Sequence, residues 1–410
     1  MLVDDLTLIK GLGKGAFGEV YLTSKKGTQE KFATKKIDKR HASKPNAKKY
    51  IDLEMKILKE IDNPNIIKLY EVKENNQNYY LVMEYCNGGS LSDCLEYHNK
   101  QFRKPFSEEV VQYLMRQIVN GLSYLHGKHI LHRDIKLDNI LVKFDSEEER
   151  QKRNMLKAKV KIIDFGFARY LDPKELAFST LGSPINMDPG ILRKLNKMEN
   201  SRDYGYDEKA DIWSLGTICY EMLVGKCTFD AGSMKELIKK VESGNYLLPT
   251  SISKEAASFL NGMLQYDPKK RLTAERLSRH KFLTKPYQEL TKIDLSNVNK
   301  HLYGPNLRIN IKENPSIWAI LDESLNNIPS EMVDIKKPSH DDDEQIIPVI
   351  KPDPIINYKM DEKNIQKEFL KAFDEINDDF IYIEPKLIPI IPGDDPSVIS
   401  KVSELNEDYF

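Results

Sequence analysis

Between Leu6 and Ile37 apolar residues fall in short runs broken by glycine-bearing turns, a pattern that predicts a strand, a tight turn and two further strands. The period then changes. From about Lys48 to Ile61, Ile51, Met55, Leu58 and Ile61 recur at helical spacing, and a helix is predicted there. Leu81-Val82-Met83-Glu84-Tyr85-Cys86 reads as another strand, and Asn87-Gly88-Gly89-Ser90 as the turn that follows it. Two helical stretches come next, over about residues 91–98 and 107–127. The second opens on Ser107-Glu108-Glu109-Val110, a serine cap with acids in the first turn. Ile140-Leu141-Val142 reads as a short strand, the charged stretch of residues 143–157 that follows is expected to be a solvated hairpin extension, and Val160-Lys161-Ile162-Ile163 leads on to Asp164. Residues 260–282 read as closing helices. After Pro286 prolines recur, acids cluster at Asp341-Asp342-Asp343-Glu344, and Ile-Ile-Pro repeats at 346–348 and 390–392. One amphipathic helix is predicted within residues 355–376, with Ile365, Phe369, Phe373 and Ile376 on a face; much of the rest reads as extended or disordered.

The chain of 410 residues is long enough for two to three domain-sized units. A formal net charge of -1 excludes a global bias toward nucleic acid or an anionic membrane. The balance conceals an asymmetry: from Glu331 onward 20 acids face 9 bases, so the tail is acidic and the remainder basic. Four cysteines, Cys86, Cys94, Cys219 and Cys227, show no C-x-x-C spacing, which argues against a metal cluster or a disulfide framework. No signal-peptide pattern opens the sequence, and no apolar run approaches the roughly 20 residues that span a bilayer. A cytoplasmic protein without a transmembrane segment is expected.

The densest chemistry lies in His132-Arg133-Asp134-Ile135-Lys136-Leu137-Asp138-Asn139, just past the helical run ending at His126. Asp134 can accept a proton from an attacking hydroxyl, and Lys136 can neutralise charge on a phosphoryl group in transit. Asn139 can offer an oxygen to a divalent cation. Phosphoryl transfer needs such positioning and charge neutralisation more than covalent chemistry. Upstream, Gly13-Lys14-Gly15-Ala16-Phe17-Gly18-Glu19-Val20 matches G-x-G-x-x-G-x-V, whose glycines let backbone N–H groups approach a triphosphate. A similar spacing marks dinucleotide-binding folds. Here Val20-Tyr21-Leu22 returns as a strand instead of opening a helix, so that reading fails. Ala33-Thr34-Lys35, Glu54, Asp164-Phe165-Gly166 and Asp211-Ile212-Trp213-Ser214-Leu215-Gly216 follow in order. Together with H-R-D-x-x-x-x-N, this series resembles the eukaryotic-type protein kinases.

The resemblance implies an α+β, two-lobed protein-kinase fold, with a small mainly β lobe carrying one helix and a large mainly α lobe. It places the kinase domain at residues 1–284 (small lobe 1–83, large lobe 84–284) and a largely extended tail at 285–410. ATP and Mg²⁺ are the implied cofactors, and protein hydroxyls the acceptors. Asp134 would be the catalytic base, Lys136 and Lys35 would stabilise phosphoryl charge, and Glu54 would order Lys35. Leu12, Gly13, Lys14, Gly15, Ala16, Phe17, Gly18 and Val20 would cover the nucleotide, with Val20 and Ala33 sandwiching adenine. The Glu84 carbonyl and Cys86 amide would meet the edge of the base, and Leu141 would support it from below. Asn139 and Asp164 would hold the metal. Lys136 and Gly182-Ser183-Pro184 follow the serine/threonine pattern, and a phosphate on Thr180 or Ser179 would give Arg133 a partner.

One position departs from the family. Met187-Asp188-Pro189-Gly190 stands at A-P-E, whose glutamate pairs with a buried arginine for which Arg271 is the candidate. Gly190 cannot serve, so Asp188 or an acid between 199 and 208 is expected to substitute. Residues 164–171 and 182–187 are most similar to the autophagy-initiating (Unc-51-like) serine/threonine kinases. In the tail, Asp378-Asp379-Phe380-Ile381-Tyr382-Ile383 resembles the short motif that binds the ubiquitin-like modifier of autophagosome membranes, with Phe380 and Ile383 filling two apolar pockets by strand addition. The rival readings are a kinase of calcium/calmodulin type, against which the lack of a basic amphipathic helix counts, and a catalytically weak kinase-fold scaffold supported by Gly190.

Overall fold

The computed structural model describes residues 5–15, 18–40, 45–166, 168–170, 184–195, 207–249, 251–290, 306–310 and 386–387. The predicted opening is β1 (Leu6–Gly15), β2 (Gly18–Lys25) and β3 (Lys31–Asp38), followed by α1 (Pro45–Glu60), β4 (Leu69–Glu74) and β5 (Asn78–Glu84). Then come α2 (Leu91–Phe102), α3 (Glu108–Gly127), β6 (Ile130–Leu131), β7 (Ile140–Lys143), α4 (Glu147–Lys152), β8 (Lys159–Ile162) and β9 (Arg169–Tyr170). The remainder comprises α5 (Pro189–Leu195), α6 (Glu208–Val224), α7 (Met234–Ser243), β10 (Asn245–Pro249), α8 (Lys254–Met263), α9 (Ala274–Ser278) and α10 (Lys281–Thr284). Two tail strands follow, β11 (Asn306–Asn310) and β12 (Lys386–Leu387). This is the expected α+β protein-kinase composition.

The chain divides into two compact units, one drawn from residues 1–101, 137–168 and 379–410, the other from 102–136 and 169–378. In the first, an antiparallel sheet runs in the order β12-β1-β2-β3-β5-β4. Strand β5 is buried along most of its length and lies between β3 and the edge strand β4. Of the predicted stripe, Ile51 and Leu58 on α1 and Ile61 just past its end are buried, whereas Met55 is only partly buried; Ile57 and Glu54 are buried on the same helix. Strands β7 and β8 pair as a hairpin, Ile140 opposite Ile162, and an isolated bridge ties Ser90 to Leu141. The charged stretch between them is more ordered than expected. Ser146 caps α4 through Oγ, acids fill its first turn and bases its last, as the helix dipole favours. Met155 is buried, and the Arg153 guanidinium lies 4.1 Å from the centre of the Tyr97 ring.

The second unit is built on α3 and α6. One face of α3 (Val111, Leu114, Met115, Ile118, Leu122 and Leu125) is fully buried, and α6 is buried on all sides from Ala210 to Tyr220, the signature of a central helix. Trp213 stacks on Phe229 with ring centres 5.9 Å apart. Strands β6 and β9 pair at the start of the H-R-D loop, and β10 pairs antiparallel with β11, Tyr246 opposite Ile309. Among the described residues no helix is long and apolar enough to cross a membrane.

Candidate active site

In the first unit β3 carries Lys35 and α1 carries Glu54, and their side chains meet at 2.7 Å (Nζ–Oε1), both largely out of solvent. Burial disfavours the Lys35 ammonium, but the carboxylates of Glu54 and Asp164 more than offset it, so its pKa lies above the ordinary value. Burial also raises the pKa of Glu54, with Asp164 adding like-charge repulsion and Lys35 opposing both. Lys35 therefore stands as a cation paired with Glu54 and under the influence of Asp164, able to attract phosphate oxygens. Asp164 adopts a left-handed backbone (φ 65°), a strained conformation for a non-glycine residue. Its Oδ1 accepts the Gly166 N–H at 3.2 Å, and Phe165 beside it is buried. The Ile163 N–H donates to the Asn139 carbonyl at 2.9 Å, so Asn139 and Asp164 stand at the same end of the β7–β8 hairpin.

These two residues offer hard oxygen donors, and among the described residues no group of three or more His, Cys, Asp or Glu gathers as a metal cage. Two protein oxygens, with phosphate and water completing the shell, is the donor set that suits Mg²⁺.

The glycine-rich stretch spans the β1–β2 hairpin, with Gly13 opposite Val20 and Gly15 opposite Gly18; Ala16 and Phe17 lie outside the described residues. Leu12 and Val20 are partly exposed and Lys14 is exposed. Val20 is opposite Lys35 in the sheet, and Ala33 is opposite Met83. Glu84 ends β5, and burial pushes the neighbouring Cys86 thiol up to about 12, which keeps it an inert thiol at neutral pH. Leu141 lies on β7 and is partly exposed.

Asp134 and Lys136 belong to the second unit. Lys136 Nζ is 3.0 Å from Asp134 Oδ2, placing an ammonium directly on the candidate base. The loop that carries them is braced from α6, where the two oxygens of Asp211 accept the His132 and Arg133 N–H groups at 2.9 and 2.8 Å. His126 adds a third contact to Asp211, Nε2 to Oδ2 at 3.0 Å. Nothing near His126 in the sequence points to an aspartate 85 residues on; only the fold brings them together. Arg133 is buried in a left-handed conformation (φ 72°).

The departure at Gly190 is compensated. Arg271 is buried and its guanidinium pairs with Asp188 Oδ2, while Nε and Nη1 donate to the carbonyls of Gln265 and Lys209 at 2.7 and 2.8 Å. The other oxygen of Asp188 accepts the Gly190 N–H at 2.7 Å and so caps α5. One carboxylate thus starts the helix and neutralises the arginine. Nearby, Ser214 and the Asn186 carbonyl, and Asn186 and Thr217, fasten the same segment to α6. Thr180, Ser179, Phe380 and Ile383 lie outside the described residues.

Residues 6–283 match the protein kinase domain model. The chain belongs to the protein kinase family. Serine/threonine-protein kinase atg1 of Dictyostelium discoideum is 37% identical over 286 residues, covering 68% of this chain and 39% of that protein. Serine/threonine-protein kinase ULK1 of Homo sapiens is 36% identical over 277 residues, 66% of this chain and 24% of the relative. Calcium-dependent protein kinase 4 of Plasmodium berghei is 33% identical over 332 residues, 80% of this chain and 57% of the relative. These matches place the chain in the serine/threonine class, and it spans less than two thirds of the length of each of these relatives.

Proposed function

We propose that this chain is an ATP- and Mg²⁺-dependent serine/threonine protein kinase acting in the cytoplasm, at the initiation of autophagy. The observation that carries the catalytic reading is the Lys35–Glu54 pair, closed at 2.7 Å with Asp164 close enough to act on both charges. Residues 1–284 are the kinase domain, with a small lobe at 1–83 and a large lobe at 84–284, and 285–410 the tail. Asp134 takes the proton of a serine or threonine hydroxyl as its oxygen attacks the γ-phosphorus, and the bond to the bridging oxygen of ADP breaks. Lys136 and Lys35 offset the charge that develops on the phosphoryl oxygens, and Glu54 fixes Lys35. Residues 12–18, Val20, Ala33, Glu84, Cys86 and Leu141 hold the nucleotide. Asn139 and Asp164 bind Mg²⁺, which when bound neutralises phosphate charge.

The scaffold reading drew on Gly190 alone, and the Asp188–Arg271 pair removes that support. The assignment to autophagy over a calcium-regulated class rests on the motif similarity of residues 164–171 and 182–187 and on Phe380 and Ile383.

The test is transfer from labelled ATP to the protein itself and to a generic serine/threonine substrate, with Asp134→Asn and Mg²⁺ omission alongside. Incorporation lost in both controls is expected; incorporation that persists in Asp134→Asn would reassign the base. For the tail, Phe380→Ala/Ile383→Ala should abolish capture by the immobilised ubiquitin-like modifier. Unchanged capture, or activity that requires calcium, would transfer the chain to another subfamily.

A further inference from the structure

Glu84 is assigned above for its main chain, yet its side chain is the more unusual part. It is buried, and its two oxygens meet two ammonium groups, Lys143 of β7 and Lys161 of β8, each at 2.7 Å. Lys161 is itself buried. Burial would push the Glu84 carboxyl up, but the two lysines more than offset it and hold its pKa below the ordinary value. The residue is therefore a carboxylate.

The next residues are laced to the same hairpin. The Phe144 N–H donates to Asn87 Oδ1 at 2.8 Å, and Asn87 Nδ2 donates to the Phe144 carbonyl at 3.1 Å. Gly88 N–H donates to the Val142 carbonyl, and Val142 N–H to the Gly89 carbonyl, both at 2.8 Å. A Cβ on Gly88 would fall 2.8 Å from both Val142 Cγ1 and the Val142 carbonyl oxygen, so the approach requires glycine. Residues 84–90 thus run along β7 as a fixed strip.

A buried acid held by one buried and one partly exposed lysine is a costly way to fill space, since apolar groups of similar volume stabilise as well as or better than a buried ion pair. What it supplies is orientation: a carboxylate held from two directions fixes the backbone of its own residue. On the nucleotide-binding reading above, that backbone meets the base edge and Leu141 of β7 meets the base from below. The lysines tie those two surfaces into one piece.

We infer that Lys143 and Lys161 are positioning residues for the nucleotide, acting through the Glu84 carboxylate and touching no part of ATP. The inference rests on the proposed assignment of Glu84, Cys86 and Leu141, and the experiment separates the two. ADP affinity is measured by calorimetry on the full chain, with KM for ATP, KM for the protein substrate and kcat, for the wild type, Lys161→Met, Lys161→Arg and Lys143→Met. Lys161→Met is expected to weaken ADP binding and raise KM for ATP roughly tenfold, with kcat and the protein-substrate KM within about twofold; Lys161→Arg restores most of the loss. Lys143→Met, at the more exposed lysine, moves the same parameters less and guards against a folding failure of the Lys161 variant. Unchanged ADP affinity in folded Lys161→Met and Lys143→Met would overturn the inference. So would a fall in kcat and both KM effects together with thermal stability, which is the signature of a purely structural pair. If instead substitution of Leu141 and Ala33 leaves ADP binding intact, the base-site assignment fails, and the lysine inference with it.

Discussion

Asp188 carries two loads on one carboxylate. Leaving a buried charge without its partner typically costs about 3–5 kcal/mol, and loss of a helix cap about 1 kcal/mol more. Asp188→Ala is accordingly expected to lower the unfolding free energy by several kcal/mol in denaturant titration. Gly190→Glu alone should change little, because Arg271 already has its acid, whereas Asp188→Ala/Gly190→Glu should recover a measurable part of the loss. No recovery would mean that the pair cannot be relocated. Asp211 offers a test by pH. Burial would raise its pKa, but the hydrogen bond from His126, the positive potential of His126 and His132, and the His132 N–H hold it below the ordinary 3.8. A depressed carboxyl contributes stability that is full above its unfolded value and is lost as pH falls through the folded value. The stability gap between the wild type and Asp211→Asn should then narrow below about pH 4. A gap of the same size at pH 3 would show that charge on Asp211 contributes nothing.

At the scale of elements, β2 and β3 approach so closely at their ends that a Cβ on Gly18 would lie 2.0 Å from the Lys36 carbonyl oxygen. That oxygen is backbone and cannot swing aside. Gly18→Ala should therefore distort the end of the β1–β2 hairpin and raise KM for ATP severalfold at near-normal secondary structure by circular dichroism; an unchanged KM would show the strands can part. The elements most legible in the sequence were those whose signal is local. The stripe on α1, the serine cap of α3 and the apolar run of β5 could each be read within a few residues. Strands β6 and β9 could not, because two residues each have no period and their pairing joins segments 40 residues apart. The helix α4 was also missed: a charged six-residue stretch reads as solvated, and its order comes from a cap and from Arg153 on Tyr97. For the site, the kinase resemblance implies the pairing of Lys35 with Glu54, but the bond of Asp188 to Arg271 is legible only as one of two alternatives, since nothing local chooses between acids.

For the whole molecule, the residues assigned to the nucleotide and the metal fall in one compact unit and the candidate base with Lys136 in the other, each unit having its own buried core. The family match ends at residue 283, but the second unit does not. Strand β11 pairs over five residues with β10, from Asn245 opposite Asn310 to Pro249 opposite Asn306. A chain cut just after the matched region would leave the β10 edge with its row of backbone donors and acceptors unoccupied, beside an exposed Leu247. Bare edges of this kind recruit strands from other molecules. A truncation at residue 290 is thus expected to sediment as mixed oligomers at concentrations where a chain ending at residue 312 is a single species. If both behave alike, β11 is dispensable. If they differ, the boundary for expressing this enzyme belongs beyond residue 310, and recombinant preparations trimmed to the homology match would be prone to aggregation.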